Sequence, residues 1–312
     1  MKRMRNQAKS ASKRTWREKG TYVKKNWQLY LFFLMPGLLL TIIFKYLPMG
    51  GLLIAFEDYN VIKGVLGSPW VGLEYFRRFL SSPDFMSYLM NTLKLSIYGL
   101  LWGFPVLIIL ALLLNRIQKI GIKKKVQLLI YMPNFISVIV LCGMVRMFLS
   151  PVGPLNKVLG ISTNWMTMPS AFRTIYIASG IWQAAGWASI MYTAALSNAS
   201  KELEEAALMD GANLLQQIWY VELPAIKNII VIQFILQAGN IMSIGFEKAY
   251  ALQTDMNLPA SEILSTYVYR IGLLNGDYGY STAVGLFNSV VNVILLVFVN
   301  WVVQKLNDGE GL

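Results

Sequence analysis

Apolar residues in this chain occur in six long runs of about 20 residues, separated by polar or charged segments. A helix of that length crosses the hydrocarbon core of a bilayer, which is about 30 Å thick. The pattern therefore predicts an all-α integral membrane protein with six transmembrane helices. The predicted spans are 27–47, 89–114, 126–149, 174–196, 225–246 and 283–304.

Composition supports the membrane class and excludes several kinds of chemistry. The chain is 55% hydrophobic and 14% charged, so it is not an ordinary soluble domain. It contains no His, and its single Cys142 lies in an apolar run. We therefore expect no metal site and no catalytic residue, because the commonest metal ligand and general base is missing. No Gly-rich phosphate loop ending in Lys and Ser or Thr occurs, so the chain itself should neither bind nor hydrolyse ATP.

The Lys and Arg residues are distributed unevenly. Ten of them lie within residues 1–25, and five more lie between 116 and 125, after the second predicted span. A nucleic-acid-binding arm is the alternative for the first group, but an apolar span follows it at once. Basic segments beside spans face the cytoplasm. We therefore expect a multi-pass protein of the plasma membrane with both termini inside and no nucleic-acid partner.

The same assignment divides the chain into three parts. Residues 1–25 are a basic cytoplasmic tail, 26–304 form a six-span transmembrane domain, and 305–312 are a cytoplasmic C-terminal tail. Eighteen Lys and Arg then lie on the cytoplasmic side and seven outside. This orientation places the segment 200–224, between the fourth and fifth spans, inside the cell.

The segment 200–224 reads as a helix, a turn and a second helix. Ser200 is a candidate N-cap for the first helix, and Glu205 and other acids near its start suit the helix dipole. Gly211 provides the bend, and we expect a side chain there to push the two helices apart. Pro224 is expected to start the next helix. An apolar stripe at helical spacing includes Leu203, Ala207, Leu214 and Ile218.

This segment resembles the signature cytoplasmic loop of bacterial ABC importer permeases. The family pattern is Glu-Ala-Ala, three residues, Gly, nine residues and Ile-x-Leu-Pro. The chain matches it without a gap, except that Val221 replaces the Ile. A plain amphipathic helical hairpin is the alternative. The resemblance implies that the loop couples the permease to an ATPase, with these residues in the coupling role: Glu205, Ala206, Ala207, Asp210, Gly211, Leu223 and Pro224.

Further stretches resemble the oligosaccharide and polysaccharide importer permeases of Gram-positive bacteria, which are related to maltose-type permeases. They include 44–49, 103–105, 110–115 and 262–270. The resemblance implies the type I ABC importer permease fold, with a second, homologous permease subunit as partner. It also implies two cytoplasmic ATPase subunits that bind ATP and Mg, and an extracellular lipid-anchored solute-binding protein that delivers the oligosaccharide.

Neutral polar and aromatic residues recur within the predicted spans, where charges are few. Sugars bind amide groups and aromatic faces and need no fixed charge, so these residues suit a passage for a hydroxyl-rich solute. Hydrogen bonding between helices is the alternative role for each of them. The candidate pathway residues are Tyr98, Trp102, Trp182, Tyr192, Gln233, Gln237, Asn240, Asn288 and Asn292.

Two other functions remain open at this stage. One is an ABC permease for another solute, such as a peptide. The other is a membrane-embedded glycosyltransferase, which would need an acidic pair beside a span, and Glu57 and Asp58 are the candidates. A solvated start to the external connection is the simpler interpretation of those two carboxylates.

Overall fold

The structure, a computed structural model, describes residues 27–198 and 201–306. Regular structure in these two ranges is helical, and the one β-type pairing in them is an isolated antiparallel bridge between Glu57 and Trp70. The predicted all-α fold is confirmed. The basic tail 1–25 and the end of the C-terminal tail lie outside the described residues, as does Ser200, the predicted N-cap.

The helices of the bundle and of the loop 200–224 are labelled α1 to α11 in chain order. They are α1 Trp27–Thr41, α2 Phe85–Asn115, α3 Ile120–Tyr131, α4 Val138–Phe148, α5 Pro169–Ser197, α6 Lys201–Met209, α7 Leu214–Gln217, α8 Lys227–Ala238, α9 Phe246–Leu252, α10 Leu264–Tyr269 and α11 Tyr278–Leu306. Other short α-helices are Gly64–Gly67, Glu74–Leu80, Pro154–Leu159, Leu223–Ala225 and Leu258–Ser261. The 3₁₀-helices are Leu47–Phe56, Met132–Phe135 and Trp165–Thr167. The π-helices are Ile42–Tyr46, Ile218–Glu222 and Arg270–Leu274.

Three helical stretches among the described residues are long and apolar enough to cross a membrane unbroken: Trp27–Phe56, Phe85–Asn115 and Tyr278–Lys305. Two bent helix pairs could add two further spans. Helix α5 has 29 residues, so it extends about 43 Å at 1.5 Å per residue. It is less apolar than the three because it packs against α2 in the interior, where lipid does not reach much of its surface.

The third predicted span, 126–149, is wrong as a single helix. The stretch Ile120–Phe135 meets α4 at an angle of 98°. Pro133 has no N–H to continue the first helix, and the Ser137 side chain caps α4 by accepting from the Val140 N–H at 3.3 Å. The carbonyl of Ile136, left free at the break, accepts from the Gln183 amide at 2.8 Å. Irregular backbone at membrane depth needs such an internal partner.

The fifth predicted span, 225–246, is too long. Helix α8 ends at Ala238, and turns follow before α9 begins at Phe246. At its other end, α8 is bent by 68° from Leu214–Ala225. The bend falls at Ile226, whose side chain is buried against the interior of the helix bundle. Pro224 therefore does not start the membrane helix as predicted, because it lies in the short helix before the bend.

The segment 247–280, between the last two predicted spans, forms a largely buried layer of short helices. Helices α9 and α10 and the segment between them bury Ala249, Leu252, Ile263 and Leu264 completely. These side chains pack against Leu95 of α2, Phe172 of α5 and the tyrosine-rich start of α11. The apolar surface is distributed over short helices, so no long apolar run shows it in the sequence.

Buried polar groups hold this layer to the neighbouring helices. The Asn257 amide donates to the carbonyls of Met166 and Leu252 at 2.8 and 3.1 Å, and the Asn91 amide of α2 donates to those of Pro259 and Glu262 at 2.9 and 3.1 Å. Such contacts offset the cost of burying the amides. Burial raises the pKa of the Glu262 carboxyl, and the Arg270 guanidinium at 2.7 Å opposes that rise.

Helices α3 and α5 approach each other most closely at Gly186. A Cβ atom at this position would overlap the Ile130 carbonyl group. Gly186→Ala should therefore lower the free energy of unfolding by about 1–3 kcal/mol, the usual cost of overpacking. Gly143→Ala on α4 is the matched control, because a Cβ there meets nothing within 4 Å. Thermal unfolding of the two detergent-purified variants checks this, and equal melting temperatures would contradict the close approach.

Candidate functional site

The corner between α6 and α7 is a Schellman motif. The Ala212 N–H donates to the Ala207 carbonyl at 2.9 Å, and the Gly211 N–H donates to the Leu208 carbonyl at 3.1 Å. This pairing needs a left-handed residue directly after the helix, and Gly211 has φ +77°. The predicted bend at Gly211 is therefore present. The expectation that its side chain would separate the helices is wrong, because a Cβ there meets nothing within 4 Å.

Helix α7 starts at a capping box directly after this corner. The Asn213 side chain accepts from the Gln216 N–H at 3.0 Å, and the Gln216 side chain accepts from the Asn213 N–H at 2.8 Å. This reciprocal pair satisfies two backbone donors at the helix start. Both helix ends at the corner are thus closed by local hydrogen bonds, so the direction of α7 relative to α6 is fixed by the sequence 207–216.

The outer face of this corner is apolar and exposed. Met209 is 88% exposed and Leu215 is 75% exposed. Glu205 and Ala206 are exposed on α6, whereas Ala207 is partly covered. We call this face the coupling surface; its large apolar members are Leu203, Leu208, Met209, Leu214, Leu215, Trp219 and Tyr220. An exposed apolar patch of this kind is typical of a protein–protein contact.

A buried ionic network fastens the corner to the end of α2. Glu222 is 1% exposed, and its carboxylate lies 3.2 Å from the Arg116 guanidinium and accepts from the Asn115 amide at 3.0 Å. Arg116 also donates to the Gln217 side chain at 2.8 Å, and Gln217 donates to the Ala212 carbonyl at 2.8 Å. We call the four residues Asn115, Arg116, Gln217 and Glu222 the latch. It ties the corner residue Ala212 to helix α2.

The latch residues were not among the predicted coupling residues. Arg116 counted only as one of five basic residues after the second predicted span, and Glu222 and Gln217 lay at unassigned positions of the loop pattern. Their contacts join residues 101 and 107 positions apart, and no local spacing shows such pairs. The one sequence signal for these contacts is Glu222, an acidic residue between apolar neighbours.

The predicted pathway residues do not form one lining. Tyr98 and Trp102 line a cavity of about 580 Å³ between α2 and α5. Gln237 and Asn240 line a separate cavity of about 390 Å³ between α2 and α8. Trp182 lines a third, apolar cavity of about 420 Å³ formed by α4 and α5.

The other predicted pathway residues make contacts within the chain, and Asn288 also lines a cavity of about 400 Å³ between α10 and α11. The Asn292 side chain accepts from the Met242 N–H at 3.1 Å, and Asn288 donates to the Met242 carbonyl at 3.3 Å. The Gln233 amide donates to the Met191 sulfur at 3.0 Å. Tyr192 is 1% exposed, so its ring belongs to the interior and does not line any cavity described above.

Comparison with known proteins identifies the family. Residues 103–308 match the family described as binding-protein-dependent transport system inner membrane component, and the chain belongs to it. The chain is therefore a multi-pass membrane permease component of the ABC importer type, as the coupling-loop resemblance implied. The matched residues include the coupling surface, the latch and the cavity formed by α4 and α5, whereas Tyr98 and Trp102 lie just before the match.

Two relatives from Bacillus subtilis (strain 168) are each 41% identical to the chain. One is Protein LplB, aligned over 93% of this chain and 92% of the relative. The other is the polygalacturonan/rhamnogalacturonan transport system permease protein YteP, aligned over 95% and 94%. A solved bacterial ABC transporter involved in the import of the acidic polysaccharide alginate contains a chain with 36% identity and a TM-score of 0.84, covering 94% of this chain and 99% of that one.

Substitution at Gly211 should loosen the corner through its backbone conformation. Gly211→Val forces a branched side chain into the left-handed region, at a cost of about 1–2 kcal/mol. Asn tolerates that region, so Gly211→Asn is the matched control. Hydrogen exchange of the Gly211 and Ala212 amides should become about tenfold faster in the Val variant, which corresponds to 1.4 kcal/mol. Wild-type exchange in that variant would contradict the role of Gly211.

Removal of Glu222 should destabilise the latch. Glu222→Ala leaves Arg116 without its carboxylate, and breaking a buried pair costs about 3–5 kcal/mol. We expect less here because the Arg116 side chain is 30% exposed. Glu202→Ala removes an exposed carboxylate from the same loop and is the control.

A double-mutant cycle measures the interaction energy between Arg116 and Glu222. Arg116→Met combined with Glu222→Leu should recover part of the stability that each single change removes, because no unpaired charge remains. Thermal unfolding of the four proteins in detergent provides the measurement. Strictly additive losses would mean that Arg116 and Glu222 do not act on each other.

Proposed function

We propose that this chain is the translocation subunit of an ABC importer that moves an oligosaccharide or polysaccharide fragment into the cell. YteP is named for a polygalacturonan/rhamnogalacturonan transport system, and the alginate transporter is involved in the import of an acidic polysaccharide. Both are aligned over almost the whole of this chain, so the similarity extends across the membrane helices and not only across the coupling loop.

In this proposal the coupling surface docks onto one of two cytoplasmic ATPase subunits, which bind ATP and Mg. The observation that carries it is an exposed apolar corner held rigidly to a membrane helix. Large apolar side chains in water cost free energy, so a partner that covers them gains affinity. Glu205, Ala206 and Asp210 border this surface, where Glu205 offers a charge-assisted hydrogen bond and Ala206 permits close approach.

Helix α2 connects the two ends of the mechanism. The latch holds its cytoplasmic end, while Tyr98 and Trp102 on the same helix line the 580 Å³ cavity. When ATP binding closes the ATPase pair, a push on the coupling surface passes through Glu222 and Arg116 into α2. The helix moves as one body, and the cavity it shares with α5 opens or closes to the outside.

The remaining partners follow from the architecture of such an importer. A second, homologous permease completes the passage, and an extracellular lipid-anchored solute-binding protein delivers the sugar. Both termini face the cytoplasm, as the basic residues 1–25 and 116–125 favour. The passage itself uses Tyr98, Trp102, Gln237 and Asn240, whose side chains line cavities.

The two rival functions have less support. Glu57 is buried beside its bridge to Trp70, and Asp58 accepts a hydrogen bond from Tyr75, so the proposed acidic pair is part of local structure. Family membership favours transport over glycosyl transfer. A competition assay distinguishes a peptide permease from a sugar permease. If the solute is a peptide, excess peptide inhibits uptake and excess oligosaccharide does not.

Reconstitution tests the proposal directly. Proteoliposomes that contain this chain, the second permease and the ATPase subunits should accumulate a labelled oligosaccharide only when ATP and the loaded binding protein are present. The purified chain alone should show no saturable ATP binding, because it lacks a phosphate loop. Omission of each component in turn is the control. Uptake without the ATPase subunits, or nucleotide binding by the isolated chain, would contradict the proposal.

A further inference from the structure

The cavity between α2 and α5 contains a cation that has no carboxylate partner among the described residues. Arg173 lines it together with Tyr98 and Trp102 from α2 and the hydroxyl residues Ser170 and Thr174 from α5. Trp102 is 67% exposed and Tyr98 is 41% exposed. No Asp or Glu is among the residues that line this cavity. We call it the outer groove, because the start of α5 lies on the external side in the proposed orientation.

The Arg173 guanidinium is held in place but incompletely satisfied. It donates to the Asn91 side chain at 3.2 Å, and Asn91 is itself fixed by the carbonyls of Pro259 and Glu262. The Nε atom of Arg173 is buried and has no hydrogen-bond partner among the described residues. The Glu262 carboxylate is already paired with Arg270 at 2.7 Å. A buried N–H of a cation normally has an acceptor, and the residues that line the groove supply Arg173 with neither an acceptor for Nε nor a negative charge.

The position of Arg173 in its helix strengthens this argument. It lies near the start of α5, a 29-residue helix with no acidic residue in its first turn. The helix dipole places positive potential at that end, where a cation is unfavourable and an anion is favourable. The dipole and the guanidinium therefore both attract negative charge into the outer groove.

The two aromatic side chains specify the rest of the ligand. Tyr98 and Trp102 are four residues apart on α2, so they present neighbouring rings on one helix face. Exposed aromatic rings stack on the apolar faces of sugar rings, and the hydroxyls of Ser170 and Thr174 can exchange hydrogen bonds with sugar hydroxyls. A planar guanidinium binds a carboxylate with two parallel hydrogen bonds.

We propose that the outer groove binds a uronate unit of the transported oligosaccharide, with its carboxylate on Arg173 and its ring against Trp102 and Tyr98. This inference rests on the proposed function and deepens it by naming the substrate class. It makes Arg173 the residue that selects acidic sugars over neutral ones of the same size.

Uptake of two matched probes tests the proposal. The fully assembled transporter, in proteoliposomes with its binding protein, is given trigalacturonate or its methyl ester, which has the same length without the charges. For each probe the uptake of a variant is divided by that of wild type, so the binding protein's own preference cancels. Arg173→Met should lower this ratio for trigalacturonate by about tenfold or more, the size of a lost charge-assisted hydrogen bond. The ratio for the methyl ester should change by less than about twofold.

Two further variants separate selectivity from damage to the fold. Arg146→Met removes another arginine, whose guanidinium donates to the Gln253 carbonyl away from the groove, and should not discriminate between the probes. Arg173→Lys keeps the positive charge but cannot form two parallel hydrogen bonds to a carboxylate, so it should recover part of the trigalacturonate uptake. Equal losses in the Met and Lys variants, equal losses for both probes, or no loss would each overturn the proposal.

The wild-type result distinguishes this inference from the proposed function. Import of a neutral oligosaccharide, with neither trigalacturonate nor its methyl ester taken up, would overturn the uronate site and leave the sugar-permease proposal standing. Failure to import any saccharide in the presence of all partner subunits would overturn the proposed function itself.

Discussion

The ion pair between Arg116 and Glu222 joins the coupling loop to the membrane helices. Without it, the corner at Gly211 would be held by the chain connections to α5 and α8 and by the packing of Ile218 and Leu223 on the helix bundle. A carboxylate that is 1% exposed is costly to bury. The Asn115 amide and the Arg116 guanidinium offset part of that cost, and the Glu222 Oε2 atom has no hydrogen-bond partner among the described residues. The pair therefore defines a position as well as adding stability. In the proposed mechanism, the coupling surface transmits force to α2 through this pair.

Buried polar groups in the helix bundle are also paired between helices. At two places outside the regular helical hydrogen-bond ladder, a side chain from another helix supplies the partner. Gln183 of α5 binds the Ile136 carbonyl at the break between α3 and α4, and Asn91 of α2 binds two carbonyls of the 247–280 layer. Unsatisfied backbone in a bilayer is too costly to persist. The polar residues within the spans are thus largely structural, and this leaves a small set free for a solute.

Sequence reasoning predicted the all-α fold and the helix–turn–helix of segment 200–224 because both depend on local signals. Apolar runs predict helices of membrane length, and the spacing from Glu205 through Gly211 to Pro224 is contained in 20 consecutive residues. The 98° helix break after Pro133 could not be predicted in the same way, because the Ile136 carbonyl at the break is paired with Gln183, which is 47 residues away. The buried layer at 247–280 was missed because its apolar residues are scattered among Asn, Ser and Thr.

The candidate pathway residues also divide into features that residue type predicts and features that only the fold shows. Tyr98 and Trp102 were predicted from residue type, and both line the outer groove. Tyr192, Asn288 and Asn292 have the same chemistry but lie in contacts within the chain. Only the three-dimensional arrangement separates these groups, and only it places Arg173, counted in the sequence as one external charge, beside two aromatic rings. The predicted domain boundaries at 25 and 304 stay predictions.

The central claim is that the coupling surface and α2 move as one body, and a distance measurement tests it most directly. Spin labels at Met209 on the coupling surface and Leu113 on α2, in a Cys142→Ser background, report the distance by pulsed electron resonance in the assembled transporter. We predict that this distance stays within about 1–2 Å between the nucleotide-free and ATP-bound states. A change of about 5 Å, one helical turn, would show that the loop slides past α2 and would contradict the account.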